Sequence, residues 1–151
     1  MKKEIVFLAI GLLIISCDHK KEKSVAMLEN KIKVISHTQS PLAESIKKGK
    51  EVYLDMCVTC HLPNGKGVPK VYPPLANSDY LMEKEVESIK AIKYGMQGEI
   101  VVNDIQYNQV MSPLGLENDE VADVMNYIRN SWGNKNIKMI TEKEVAAISK
   151  N

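Results

Sequence analysis

Cys57-Val58-Thr59-Cys60-His61 is the stretch on which the reading of this chain turns. Two thiols three residues apart share one helical turn, and the imidazole of the next residue follows directly. Three chemistries use cysteines at this spacing. A redox dithiol does, but no βαβ pattern surrounds the motif. Zinc does, but no second Cys/His pair is present at metal spacing to complete four ligands. The third is attachment of a c-type haem. There the two thiols add to the vinyl groups along one porphyrin edge, and the imidazole of His61 comes under the ring, where a nitrogen reaches the iron. Of the three, haem attachment is the reading that the motif favours.

Outward from the motif, the pattern is helical. Ile46, Gly49, Tyr53 and Cys57 recur at i, i+3, i+7 and i+11, one face of a helix running from about Leu42 into the motif. The following stretch, Leu62-Pro63-Asn64-Gly65-Lys66-Gly67-Val68-Pro69 and then Tyr72-Pro73-Pro74-Leu75, is too rich in Pro and Gly for regular structure. Asp79–Tyr94 reads as a second helix, stopped by Gly95. Ile100–Tyr107 holds two short β-prone runs around Asn103-Asp104, which form a small hairpin or an irregular loop. Val121, Val124, Met125, Ile128 and Trp132 make a last apolar stripe, with Glu117 or Asn118 at its N-cap and Gly133 at its stop. Beyond it, Val145, Ala146 and Ile148 give a second short helical pattern that docks loosely or stays free.

Composition sets the limits within which this pattern works. In 151 residues there are 20 Lys plus Arg and 19 Asp plus Glu, a net charge of +1, so nucleic-acid binding by a large positive field is excluded. The only Phe is Phe7, and every other aromatic lies between Tyr53 and Trp132. All prolines fall between Pro41 and Pro113. One unit, residues 43–133, therefore carries the packing and turn chemistry. A unit of that size has a marginal apolar core of its own, and a haem macrocycle supplies the missing aromatic volume. The unit holds nine Lys/Arg and thirteen Asp/Glu, hence −4, divided as +2 over 43–70 and −6 over 71–133.

The N-terminus reads as an address. Lys2 and Lys3 precede an apolar run, Ile5–Ile15, which is short for a membrane span and suited to a signal-peptide core. The run ends at Ile14-Ile15-Ser16-Cys17, similar to a bacterial lipobox, in which Cys17 takes lipid and becomes the first mature residue. The alternatives are an ordinary signal peptide with an incidental Cys, or an uncleaved anchor. Lipidation leaves Cys57 and Cys60 as the remaining pair, which removes the problem of three cysteines in an exported chain. Residues 17–42 then form an anchor and tether, with five lysines against Asp18, Glu22 and Glu29. A flexible chain of that length reaches about 25–30 Å. His19 and His37 lie in it without a second ligand at metal spacing. The expected organisation is signal peptide 1–16, anchor and tether 17–42, folded domain 43–134 and tail 135–151.

The ordered set resembles class I cytochrome c over roughly residues 43–134. It is carried by Cys57-Val58-Thr59-Cys60-His61, Gly65-Lys66-Gly67-Val68-Pro69, Tyr72-Pro73-Pro74-Leu75, Tyr107-Asn108-Gln109-Val110-Met111-Ser112-Pro113 and Tyr127-Ile128-Arg129-Asn130-Ser131-Trp132-Gly133-Asn134. The resemblance implies an all-α fold, three to five helices and long loops wrapped around one covalently bound haem c. Its first and last helices cross, and Gly49 fits that crossing by letting Tyr127 or a neighbour approach the backbone. The resemblance further implies that the Pro73 carbonyl accepts the free ring N–H of His61 and that Leu75 packs on the porphyrin. In many relatives Pro directly follows the ligating Met; here Ser112 intervenes before Pro113.

For the sixth iron ligand two methionines compete. Met96 lies in the Gly95-Met96-Gln97-Gly98 turn. Met111 lies in a loop that leads through Pro113 into the last helix, and the resemblance places the ligand there. A thioether opposite an imidazole raises the reduction potential and closes the iron to oxygen, as a carrier requires. The function expected is that of an electron carrier, not an enzyme, exported and lipid-anchored to a bacterial membrane facing the periplasm or cell surface. Its partners are a redox donor and acceptor at the membrane, and it works as a monomer. Two alternatives stay open: a tethered electron-entry subunit of a reductase, oxidase or dehydrogenase, and a haem enzyme or gas sensor with an open sixth site. Against the last, His61 is the only histidine of the folded unit, so no distal His acid–base group is available.

Overall fold

A computed structural model describes residues 40–150. The leader, Cys17, His19, His37 and most of the tether lie outside the described residues. The order of elements is α1 (Pro41–Met56), α2 (Val58–His61), α3 (Asp79–Glu83), α4 (Glu85–Tyr94), β1 (Ile100–Val102), β2 (Ile105–Tyr107), α5 (Asn118–Ile128) and α6 (Glu142–Ala147). The architecture is helical with one two-stranded hairpin, and the described residues hold six helical segments where three to five were expected. None of these helices is long and apolar enough to cross a membrane.

Helix α1 starts where local chemistry favours it. Ser40 accepts from the Ala43 amide at 3.2 Å, Pro41 fills the first turn and Glu44 complements its dipole. The buried stripe Ser45, Gly49 and Tyr53 packs against α5. At Gly49 the close approach expected of Tyr127 or a neighbour is made by the main chain of Asp123 and Val124, one turn before Tyr127. Tyr127 instead joins Tyr53 and Trp132 in an aromatic trio, with ring centroids 5.4, 4.9 and 5.5 Å apart. These rings, with Val121, Val124, Met125 and Ile128 of α5, make the core on one side of the haem motif.

The single helix expected over Asp79–Tyr94 is broken at Lys84, whose backbone (φ −112°, ψ 63°) leaves the helical region. No Pro or Gly stands near the break, so the local sequence does not encode it. Tertiary contacts do: α4 presents Ile89 and Ile92 to the core, and its first residue, Glu85, pairs with Arg129 at 2.9 Å and with Lys138 at 2.9 Å. The Arg129 side chain is 3% exposed, which makes that carboxylate its compensation for burial.

Helix α5 opens with a capping box between Glu117 and Glu120 and ends at Ile128, earlier than the expected stop at Gly133. Side chains satisfy its final carbonyls: Asn130 donates to Asn126 O at 3.0 Å and Ser131 to Tyr127 O at 2.7 Å. The chain then reverses, with Trp132 at φ +52°, and its indole N–H donates to Pro63 O at 3.1 Å. Residues 135–150 do not stay free. Ile140 and Val145 are buried in the core, and Asn126 pairs with the backbone of Ile140 in both directions at 2.8 Å. The packed unit therefore extends past the expected boundary at 134.

Candidate functional site

The site is built where α1 gives way to α2. Cys57 caps α1 through its amide to Tyr53 O at 3.0 Å, and the turn continues as His61 N donates to Cys57 O at 3.0 Å. Cys57 and Cys60 thus stand on one short helical stretch, neither of them in a disulfide. Tyr53 fixes the exit from the motif by donating to Leu62 O at 2.7 Å.

The Pro- and Gly-rich loop then folds back under the motif. Gly67 donates to His61 O at 3.0 Å, and Leu75 and Ala76 both donate to Gly65 O at 2.7 and 2.9 Å. Gly67 is at φ +58°, and a side chain there would meet Pro73 O at 2.6 Å. That close passage delivers the Pro73 carbonyl to His61, with Nδ1 at 3.0 Å from the oxygen. A carbonyl only accepts, so Nδ1 carries the proton and Nε2 keeps its lone pair. Burial lowers the imidazole's pKa, against a smaller opposite effect of the Pro73 bond, which keeps the ring neutral at pH 7.

Opposite this turn, α4 ends at Gly95 (φ +77°), and Met96 exchanges two backbone hydrogen bonds with Met111, at 2.8 and 2.9 Å. The residues between them form the hairpin, with Ile100 opposite Tyr107 and Val102 opposite Ile105. Its turn residues Asn103 and Asp104 both have positive φ, the backbone a two-residue hairpin loop requires. Asn103 is held to the start of α3, accepting from the Asp79 amide at 3.0 Å and donating its own amide to Asp79 Oδ1 at 2.8 Å.

Two adjoining clefts open between these walls, and Cys57, His61, Pro73, Met96, Ile100 and Met111 border both. Leu75 lines the inner one, backed by Leu81, Ile92, Val102, Val124 and Ile128. Cys60 lines the outer one, with Met56, Val110 and Leu114. Every residue expected at the site, Cys17 apart, thus borders one or both of these clefts. Met96 borders them too, but Met111 and not Met96 is among the partly buried side chains packed on the core. Tyr107, which also lines the outer cleft, was legible in its β-prone run and as the first residue of the stretch through Pro113 that carries the family resemblance, though not as a site residue. The donor set fits a haem: two thiols on one turn, a neutral imidazole with a free Nε2, thioethers on the other wall and apolar side chains behind.

A family model described as cytochrome c matches residues 46–132, more than half of the chain. The chain belongs to the cytochrome c family. It is 36% identical over 113 residues to cytochrome c-552 of Thermus thermophilus, a match covering 69% of this chain and 76% of the relative. It is 31% identical over 104 residues to the cytochrome c subunit of alcohol dehydrogenase (quinone) from Gluconacetobacter polyoxogenes, covering 66% of this chain. It is 32% identical over 111 residues to the gluconate 2-dehydrogenase cytochrome c subunit of Pantoea cypripedii, covering 68% of this chain. The matches span only 22% and 24% of those two subunits. This cytochrome c is of the class I mono-haem kind, with haem c joined covalently through Cys57 and Cys60, and its function is electron transfer.

Proposed function

We propose that this cytochrome is an exported electron carrier, anchored by lipid at Cys17, with His61 and Met111 as the two axial ligands. The observation that carries the ligand reading is the His61 Nδ1 to Pro73 O bond, at 3.0 Å, on one wall of the cleft that Met111 borders from the other. When bound, the haem supplies an iron that gains or loses one electron. Around it, His61 offers Nε2 from a ring whose orientation and tautomer the Pro73 carbonyl sets. Met111 offers a soft sulfur, which favours the reduced iron and raises the potential. Leu75, Ile92 and Val124 keep water from the inner face. With both positions filled by protein, nothing else needs to bind iron, and the chain acts as a carrier rather than a catalyst.

Met111→Ala is expected to abolish the thioether-to-iron charge-transfer band and lower the potential. Met96→Ala is expected to leave both nearly intact, because Met96 meets Met111 through its backbone. The reverse outcome reassigns the ligand. Rapid, complete carbon monoxide binding by the ferrous wild type would point instead to an open-site haem enzyme or sensor.

Cys17→Ala should release the protein from the membrane into the soluble fraction; unchanged partitioning would replace the lipid anchor by an uncleaved helix. In this reading a tether over 18–42 keeps a monomeric domain near the periplasmic or outer face of a bacterial membrane. There it passes electrons between membrane redox complexes.

A second reading is favoured by the relatives that are cytochrome subunits of dehydrogenases: a tethered electron-entry subunit of a larger complex. Pull-down from solubilised membranes separates the two. A stoichiometric dehydrogenase partner supports the subunit, and a chain that migrates alone supports the free carrier.

A further inference from the structure

The C-terminal segment reaches the loop that carries Met111. Past α6, the Ile148 carbonyl accepts from Tyr94 Oη at 2.8 Å and from Lys93 Nζ at 3.3 Å, and Lys93 also donates to Val145 O at 2.9 Å. Lys93 and Tyr94 are the last two residues of α4. The next residue, Gly95, is pressed so closely on the Met111 loop that a Cβ there would meet Met111 O at 2.7 Å and Pro113 N at 2.9 Å. Met96 follows, and holds Met111 by its two backbone bonds. Lys150 borders one groove with Tyr94, Met96, Met111 and Pro113. An unbroken series of contacts thus runs from the tail to the backbone of the proposed sixth ligand.

The other end of the series is firm. Ile140 and Val145 are buried, and Asn126 of α5 grips Ile140 from both sides. The tail is therefore fixed to the core, and through Lys93 and Tyr94 it holds the end of α4. Free of the tail, Lys93 and Tyr94 would turn to water, and the Gly95–Met96 corner would lose its outer support.

We propose that Lys93 and Tyr94 are positioning residues for axial ligation: by gripping Val145 and Ile148 they strap the Met96–Met111 pair against the cleft and slow the detachment of Met111 from iron. The inference rests on Met111 as the ligand. It assigns the tail a role in the redox site that packing of the core does not require.

The test uses the full-length ferric holoprotein with imidazole as the competing ligand. At saturating imidazole the rate of replacement equals the rate at which the thioether leaves the iron. Each lost hydrogen bond is worth about 1 kcal/mol, roughly a fivefold change. Lys93→Met with Tyr94→Phe should therefore raise the limiting rate by about fivefold to twenty-fivefold if one to two bonds' worth is felt at the loop. Val52→Ala, which trims the α1 side of the core, serves as the control for general loss of stability. It should leave the limiting rate unchanged even where its melting temperature falls as far. A double variant whose limiting rate matches wild type, or moves no more than in Val52→Ala, overturns the strap. A wild-type protein without a methionine charge-transfer band overturns the ligand assignment and the strap with it.

Discussion

Gly49 lies against the peptide carbonyl of Asp123 with no room for a carbon atom between them, and a Cβ built on it would also stand 2.8 Å from Val124 N. Both obstacles are main chain within helix α5, so neither can rotate away. Gly49→Ala must push α1 off α5 at the point where the two ends of the domain meet. The expected cost is about 3 kcal/mol, the upper end for overpacking, read from denaturant unfolding of the holoprotein. A loss under about 1 kcal/mol would mean that the crossing is more compliant than its geometry.

Asn126 is the second place where one side chain decides a large contact. Its amide donates to Ser45 Oγ and Ile140 O, each at 2.8 Å, while its carbonyl accepts from Ile140 N at 2.8 Å. Asn126→Ala leaves a buried amide and carbonyl of Ile140 without partners, at a cost of about 2–3 kcal/mol. Hydrogen exchange should show the protection of residues around Ile140 and Val145 collapsing before that of α1. Uniform loss across the domain would show that tail and core open together.

Haem removal should be more severe than either substitution. The cleft is lined by Leu75, Leu81, Ile92, Val102, Val124 and Ile128, all of which face a void or water once the ring is absent. A group bound only by the native state stabilises that state, and here it supplies part of the core. Chain expressed with Cys57→Ser and Cys60→Ser, and freed of haem, is expected to show little helix by far-UV circular dichroism. A full helical spectrum would refute the view that the macrocycle completes the fold.

What could be read from the sequence was whatever a few neighbouring residues decide. The motif, the helix beginning near Leu42, the hairpin or loop around Asn103-Asp104 and the N-cap at Glu117 or Asn118 are all local. The break at Lys84 was invisible because it answers to Arg129 and Lys138, distant in sequence. The early end of α5 depends on Asn130 and Ser131 satisfying carbonyls that a glycine stop was expected to leave. Docking of the tail hangs on Asn126, an unremarkable polar residue within an apolar stripe. At the site, Cys57, Cys60 and His61 declared themselves by spacing, while Pro73 and Leu75 came only through family resemblance. The backbone pairing of Met96 with Met111 had no signal at all, since any two residues can form it.

The loop between those two methionines is fastened at both ends: at its base by the Met96–Met111 pair, and at its tip by Asn103 on Asp79. An electron crosses between proteins fastest when few atoms must move as the charge on the donor changes. Across the cleft, His61 is similarly pinned by Pro73. Two walls so fastened would hold the iron's surroundings nearly alike in the oxidised and reduced forms. The stapled backbone would then keep the reorganisation energy of the exchange small, beyond what the cofactor does alone.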